Sequence, residues 1–439
     1  MSVIGTLRTD RGTGVPMSVG EAVEMLVGPQ EQVRIEAYDG SSCGPADAPM
    51  RMRLTNPRAV AYLATAPSSL GFARGYVAGD ITVEGVHPGD PYRLLRAAES
   101  LLEPRRPSPA EAVRALRSFG RLALTLPEPP PQEAPGALRR AVNGLRHSRT
   151  RDAEAIHHHY DVSNRFYEMV LGPSMAYTCA CYPSDDATLE EAQEHKFDLV
   201  ARKLGLRPGM RLLDVGCGWG GMVRHAVREY GVTAIGVTLS RDQANWGQEA
   251  LEREGLTGRA EIRHLDYREV SEVGFDAISS IGLTEHIGVA NYPSYFGFLL
   301  SRLRPGGRLL NHCITRSDNR HPGIKRRGFI DRYVFPDGEL TGSGAVITAM
   351  QDAGFEVQHE ENLRRHYART LEGWCSNLVQ HWDECVAEVG IGTAKVWGLY
   401  MAGSRLGFET RQIELHQVLA THTDEGGDPH FPMRPDFGV

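Results

Sequence analysis

Glu285 and His286 stand side by side in "IGLTEHIG" (281–288), directly after "FDAISSIG" (275–282), an apolar run that reads as a buried strand. A carboxylate beside an imidazole in apolar surroundings is costly unless each group has a partner or a chemical role. Functional groups of open α/β sheets gather at the carboxyl ends of strands, so Glu285 is a candidate for charge or proton chemistry. The competing readings are structural: Glu285 as an ion-paired acid, and His312, in "RLLNHCIT" (308–315), as a hydrogen-bonded core histidine.

A second chemical stretch is "LLDVGCGWGG", with Gly216, Gly218, Gly220 and Gly221 directly after another apolar run. Glycines there let the backbone turn tightly and approach a ligand at the start of the next helix. Gly221 completes a G-x-G-x-x-G spacing, so the loop alone admits NAD. The following strand ends "GVTLS", however, with no acid for a ribose diol. Asp214, two residues before the first glycine, lies where an acid can orient an amino acid's ammonium. Asp266, in "LDYRE", lies near an expected adenine amino group. S-adenosylmethionine fits this pattern better than NAD.

Elements that position these residues alternate from about 152 onward, the pattern of a doubly wound Rossmann-like α/β domain. The expected strands are 210–216, 233–240, 260–266, 275–282 and 308–315. The expected helices include 219–231, one capped by Ser240, and one within 291–307 that ends in a turn at "RPGG". Residues 1–102 read as a smaller N-terminal α+β domain. In it "VRIEAYDG" (33–40) and "MRMRLT" (50–55) alternate as strands, and "NPRAVAYLATAP" (56–67) forms a helix.

Between them, 103–151 reads as a Pro/Arg-rich linker, leaving 152–439 as the catalytic domain. Ser108, Pro109 and Glu111 form a helix-start signature in the linker, and "LPEPPPQEAPG" (126–136) stiffens it. The linker stretch 104–151 carries ten arginines and three glutamates, in a chain of net charge −7. A basic island in an acidic protein points to an anionic partner met at one place, such as a membrane surface, and the overall charge excludes nucleic acid. The competing reading is a solvated helix and a spacer. Seven cysteines show no framework spacing, so reduced thiols in the cytoplasm are expected. No secretory signal or stretch of about 18 apolar residues appears, so the expectation is a cytoplasmic protein bound peripherally to the inner membrane face.

Together "HHHYDVSNRFYEMVLGPSMAYTCACY", "LLDVGCGWGG", "GVTLSRDQ", "LDYREV", "GLTEHIG", "LLNHCIT" and "YVFPDGEL" resemble the cyclopropane fatty acid synthase family over roughly 155–420. The family's fold implies a class I methyltransferase domain. "SSLGFARGYVAGDITVEG" (68–85) looks like the N-terminal domain of members acting on intact phospholipids. The resemblance implies S-adenosylmethionine-dependent methylation of an unsaturated, oleoyl-type acyl chain, through a carbocation that must lose a proton. It further implies bicarbonate as the proton acceptor, held by Glu285, His312, Tyr367 and the Cys179 backbone, with Ile314 nearby. Tyr160, Tyr177, Gly216, Gly218, Thr238, Leu239 and Gln243 would line the cofactor pocket, with Asp266, Tyr267 and Arg268 at the adenine end.

Many ring-forming members carry an aromatic residue before the Glu-His pair and read "LLHTI" at strand five. Thr284, Asn311 and Cys313 depart from that, which looks closer to the branch making 10-methylene stearoyl chains, precursors of tuberculostearate. A cyclopropane product, a small-molecule methyltransferase and a non-catalytic lipid-binding protein are the alternatives. A homodimer, and a flavin- or NADPH-dependent reductase acting on the product, are partners the resemblance leaves open. No metal is expected: the histidines of "HHH" (157–159) point in different directions on a helix with no Cys or acid at ligand spacing, and Cys179-x-Cys181, which could be redox active or bind zinc, is expected to contribute the Cys179 backbone instead of a reactive thiol.

Overall fold

A computed structural model describes residues 17–28, 30–66, 69–97, 126–133, 162–320, 328–335 and 338–438. The chain divides into two compact units, Met1–Val86 with Arg96–Pro129, and His87–Leu95 with Pro130–Val439. The sequence reading placed boundaries at 102 and 151. The structure instead groups 87–95 and 130–133 with the second unit. There the buried Glu133 carboxylate accepts two hydrogen bonds from Arg332, at 2.9 and 2.6 Å. Most of the basic island, its capped helix and "HHH" lie outside the described residues.

In the first unit, β1 (Val33–Ala37), β2 (Ser42–Cys43), β3 (Met50–Leu54) and β4 (Ile81–Glu84) form a sheet in the order β2-β1-β3-β4. β1 and β3 are parallel; the other two pairings are antiparallel. Both alternating runs are therefore strands. Val33, Ile35, Met50, Met52 and Leu54 are buried, while Arg34, Glu36, Arg51 and Arg53 share the other face. The expected helix spans Pro57–Thr65. Asn56 caps it by accepting from the Arg58 N–H at 2.9 Å, and Pro57 fills the first turn, where no N–H is needed.

The second unit is built on β5 (Arg211–Val215), β6 (Thr233–Thr238), β7 (Ala260–His264), β8 (Phe275–Ile281), β9 (Leu303–Thr315), β10 (Glu356–Asn362) and β11 (Glu414–Thr421). Their order is β10-β11-β9-β8-β5-β6-β7. β5 to β9 are mutually parallel where they pair, and β11 runs antiparallel to both β9 and β10. This is a Rossmann-like sheet, parallel through β5 to β9 with an antiparallel insertion at β11. The five expected strands are present; β10 and β11 are additional.

β9 begins earlier than its apolar run implied. Pairing with β8 passes from Phe275–Leu303 to Ala277–Arg308, so "RPGG" forms a bulge within β9 instead of a turn that ends the helix. Tyr292, Tyr295, Phe296 and Leu299 of the helix Tyr292–Arg302 pack into the core against Leu309, Cys313 and Val418. Strand order reverses at β5, with β6 on one side and β8 on the other, and this opens a crevice at the strands' carboxyl ends.

Candidate active site

The glycine loop leaves β5 at Val215. Gly216 and Gly218 adopt φ of 75° and 55°, in the left-handed region that other residues enter at a cost. The N–H groups of Gly216 and Cys217 both donate to the Val237 carbonyl, at 2.9 and 3.0 Å, which pins the loop to β6. The resulting cleft is lined by Tyr177, Asp214, Gly216, Gly218, Thr238, Leu239, Gln243, Tyr267 and Arg268. Nine of the expected cofactor residues thus face one space. Asp266 is not among the residues lining it. Its carboxylate caps the turn Tyr267–Glu269 and holds the Arg268 guanidinium at 2.8 and 2.6 Å. Tyr160 lies outside the described residues.

At the end of β6 no acid appears. Thr238 Oγ1 donates to Gln243 Oε1 at 2.8 Å, and Ser240 caps the helix Arg241–Arg253. Trp219 packs its ring 4.7 Å from that of Tyr167 while also lining the cleft. His286 lines the cleft as well.

One cleft residue carried no sequence signal. Lys196, in the helix Leu189–Leu204, is buried; its Nζ donates to Thr178 Oγ1 at 3.1 Å and lies 3.7 Å from the Phe197 ring centroid. Its charged neighbours on the helix make it read as a surface residue. Burial pushes its ammonium down to about 8, against the opposing pull of nearby Asp214. Burial likewise pushes Asp214 up to about 6, although the Ser279 hydroxyl donates to it at 2.6 Å and Lys196 opposes the shift.

Glu285 lies in the one-turn helix Thr284–Ile287 that follows β8. Its Oε1 accepts the Ile314 N–H at 2.7 Å, so Ile314 orients the carboxylate from β9. Its Oε2 is buried with no hydrogen-bond partner, and among the described residues Glu285 is in no ion pair. Burial raises its carboxyl to about 7; the Ile314 N–H opposes the rise.

His312, two residues before Ile314 on the same face of β9, is fully enclosed. Gln417 lies opposite it on β11 and reaches Nδ1 at 3.1 Å, while Nε2 is buried without a partner. Burial, with Lys196 and Lys203 adding to it, holds the imidazole well below its usual range, so the ring is neutral. Cys179 and Tyr367 meet at a third point, the Leu363 carbonyl: Tyr367 donates its N–H at 3.1 Å and the Cys179 thiol lies 3.8 Å away. The Cys179 and Cys181 thiols are buried and pushed far from ionisation, Cys181 to about 12.

The surroundings are aromatic. The Tyr177 ring lies 5.5 Å from Trp374 and 5.7 Å from Trp397, which in turn lies 5.7 Å from Tyr400. Tyr367 packs 4.6 Å from Phe408. Electron-rich ring faces of this kind tolerate positive charge where water is excluded. The three departures noted in the sequence form a single buried chain. Thr284 Oγ1 donates to Asn311 Oδ1 at 2.6 Å, and Asn311 Nδ2 donates to Cys313 Sγ at 3.3 Å. Two of its members flank His312 and the third adjoins Glu285.

Residues 147–418 match the family described as mycolic acid cyclopropane synthetase. The chain is 60% identical over 420 residues to a probable fatty acid methyltransferase of Mycobacterium tuberculosis, covering 95% of this chain and 98% of that protein. It is 34% identical over 269 residues to the cyclopropane-fatty-acyl-phospholipid synthase of Escherichia coli K12, covering 61% of this chain and 68% of that one. Among solved structures, a mycolic acid cyclopropane synthase complexed with SAH and CTAB superposes with a TM-score of 0.57 at 33% identity. That match covers 61% of this chain and 97% of the other.

Glu285 binds its proton more tightly when folded, burial raising its carboxyl from an ordinary 4.5 to about 7. The ionised form is therefore penalised in the folded state only, and the penalty grows as pH rises through that window. Glu285→Gln should match the wild type near pH 4.5 and exceed it by on the order of 1–3 kcal/mol at pH 8. Urea denaturation at the two pH values checks this.

Proposed function

The chain belongs to the cyclopropane fatty acid synthase family of S-adenosylmethionine-dependent methyltransferases, and on that footing we propose that it methylates an oleoyl-type acyl chain of a membrane phospholipid, leaving a 10-methylene group. The observation that carries this reading is two buried atoms without partners, Glu285 Oε2 and His312 Nε2, tied to one stretch of β9 by the Ile314 N–H, in a unit whose Tyr177, Trp374, Trp397 and Tyr400 rings pack together. An alkene is a poor nucleophile, and its cationic product must lose a proton at a chosen carbon. A water-free site with few polar groups suits that task.

The donor set fits bicarbonate. A bicarbonate hydroxyl needs an acceptor, which Glu285 Oε2 offers, and its remaining oxygens need donors, which a neutral His312 offers through Nε2–H. By family resemblance Tyr367 and the Cys179 backbone complete the set. When bound, S-adenosylmethionine supplies the electrophilic methyl and bicarbonate takes up the proton. The alkene pair forms the new carbon–carbon bond, and the cation left on the chain is discharged by losing one proton. Ile314 holds Glu285 in place, and the aromatic walls exclude water that would otherwise trap the cation.

Product choice follows from whether a hydride shift precedes the proton loss. Loss from the added methyl with ring closure gives cyclopropane; a hydride shift followed by loss from that methyl gives an exocyclic methylene. The Thr284–Asn311–Cys313 chain beside Glu285 and His312 supports the methylene reading, as does the 60% identity to a protein named a probable fatty acid methyltransferase. The likeness to a cyclopropane-fatty-acyl-phospholipid synthase supports ring closure as the second reading. No described helix is long and apolar enough to cross a membrane, and the arginine island supports peripheral attachment to an anionic leaflet.

Fatty acids from cells expressing the gene should gain one CH2, about 14 Da by mass spectrometry, with alkene protons of an exocyclic methylene in NMR. Cyclopropyl protons would select the second reading, and unmodified lipids would contradict both. Glu285→Gln should lower turnover by about 10²-fold or more while leaving S-adenosylmethionine affinity within about threefold. Binding to anionic vesicles should weaken with added salt and in the Arg139→Glu/Arg140→Glu variant. Indifference to both would remove the membrane assignment.

A further inference from the structure

We propose that Lys203 and Gln417 are positioning residues that hold His312 as its Nε2–H tautomer, so that the ring presents a donor to the reaction site. This rests on the proposed function only in placing His312 at that site; the tautomer itself is set by the protein.

The argument starts from the amide of Gln417. Its two ends have the same shape, and only their neighbours decide which is oxygen. Gln417 is buried on β11, so both ends must be satisfied within the protein. One end lies 2.6 Å from Lys203 Nζ and the other 3.1 Å from His312 Nδ1. A lysine ammonium has three donors and no acceptor, so the end facing it is the carbonyl oxygen. Burial lowers the Lys203 ammonium, and the Glu361 carboxylate, the only acid ion-paired with it among the described residues, opposes that shift and favours the charged form. The NH2 group therefore faces His312. An amide NH2 donates and cannot accept, so Nδ1 must carry the lone pair. In a neutral imidazole the single proton then sits on Nε2.

Nε2 is the atom the protein leaves without a partner. An N–H there matches an anionic oxygen, and complements the acceptor that Glu285 Oε2 presents. With the opposite tautomer, Nδ1–H would meet the amide NH2 and the unpartnered Nε2 would present a lone pair, which cannot donate to an anion. Lys203 and Gln417 thus act at a distance from any ligand: Lys203 orients the amide, the amide sets the ring, and the ring donates. The antiparallel insertion of β11 beside β9 makes this possible, because the register places Gln417 directly opposite His312.

The test uses the full-length protein with ¹⁵N-labelled histidine, with the His312 signals assigned by their loss in His312→Asn. Long-range ¹H–¹⁵N spectra without ligand should show Nε2 protonated and Nδ1 bare. Gln417→Glu exchanges one NH2 for an oxygen and keeps an acceptor for Lys203. It should move the proton to Nδ1 and lower kcat by about 10²-fold or more, with S-adenosylmethionine affinity within about threefold; wrong-tautomer variants of acid–histidine pairs lose up to about 10⁴.

Nδ1–H in the wild type would overturn the proposal, as would Gln417→Glu keeping Nε2–H and a kcat within threefold of wild type. A moved proton with unchanged kcat would sustain the tautomer assignment and contradict His312's part in the proposed function. If Gln417→Glu does not fold, Lys203→Met leaves the amide free to turn. It should give a mixture of both tautomers, and pure Nε2–H would overturn the proposal.

Discussion

Glu285 is an enclosed carboxylate with one oxygen held and the other left open. Removing such a group from water costs several kcal/mol even after relaxation, and the single Ile314 N–H does not repay it. The surrounding structure has to impose this arrangement. β8 delivers the chain to the one-turn helix that carries Glu285, and the Gly282 N–H ties the end of β8 to the His312 carbonyl at 2.8 Å. From the other side the Glu339 N–H caps the Glu285 carbonyl at 3.1 Å, and the Glu339 carboxylate accepts the Val289 N–H at 2.9 Å. The helix is thereby fixed at both ends, and the carboxylate has no freedom to seek water.

That constraint connects two sites that would otherwise be separate. The cofactor cleft lies over the carboxyl ends of β5 and β6, and the Glu285–His312 site lies over β8 and β9. Lys196 feels Asp214 on the cleft side and depresses His312 on the other. Glu285, next in sequence to the cleft residue His286, and His312 each keep one buried polar atom without a partner.

Much of the fold was legible because buried parallel strands read as continuous apolar runs bounded by glycine. In β5 and β8 Leu212, Leu213, Val215, Phe275, Ile278 and Ile281 carry that signal despite the interspersed Asp214, Ser279 and Ser280, and the glycine loop between strand and helix marks itself. β11 is different. All eight of its residues are buried, yet Glu414, His416 and Gln417 are polar, so hydropathy gives no sign of a central strand. Their partners explain the burial: His416 meets Thr315 at 2.7 Å, and Gln417 meets His312 and Lys203. Such partners are distant in sequence and no periodicity can reveal them. Lys196 and Lys203 were hidden for the same reason, on a helix rich in charge. Asp266 shows the opposite limit: its motif was recognisable, but Arg268 two residues on competes for the carboxylate that was assigned to adenine.

The claim on which the account stands is that Glu285 and His312 hold a small anion that accepts the proton. Turnover measured in carbonate-depleted buffer, with bicarbonate then restored in steps, tests it most directly. The account predicts that activity falls on depletion and recovers saturably in the wild type. Turnover indifferent to depletion, with the same lipid product, would contradict it.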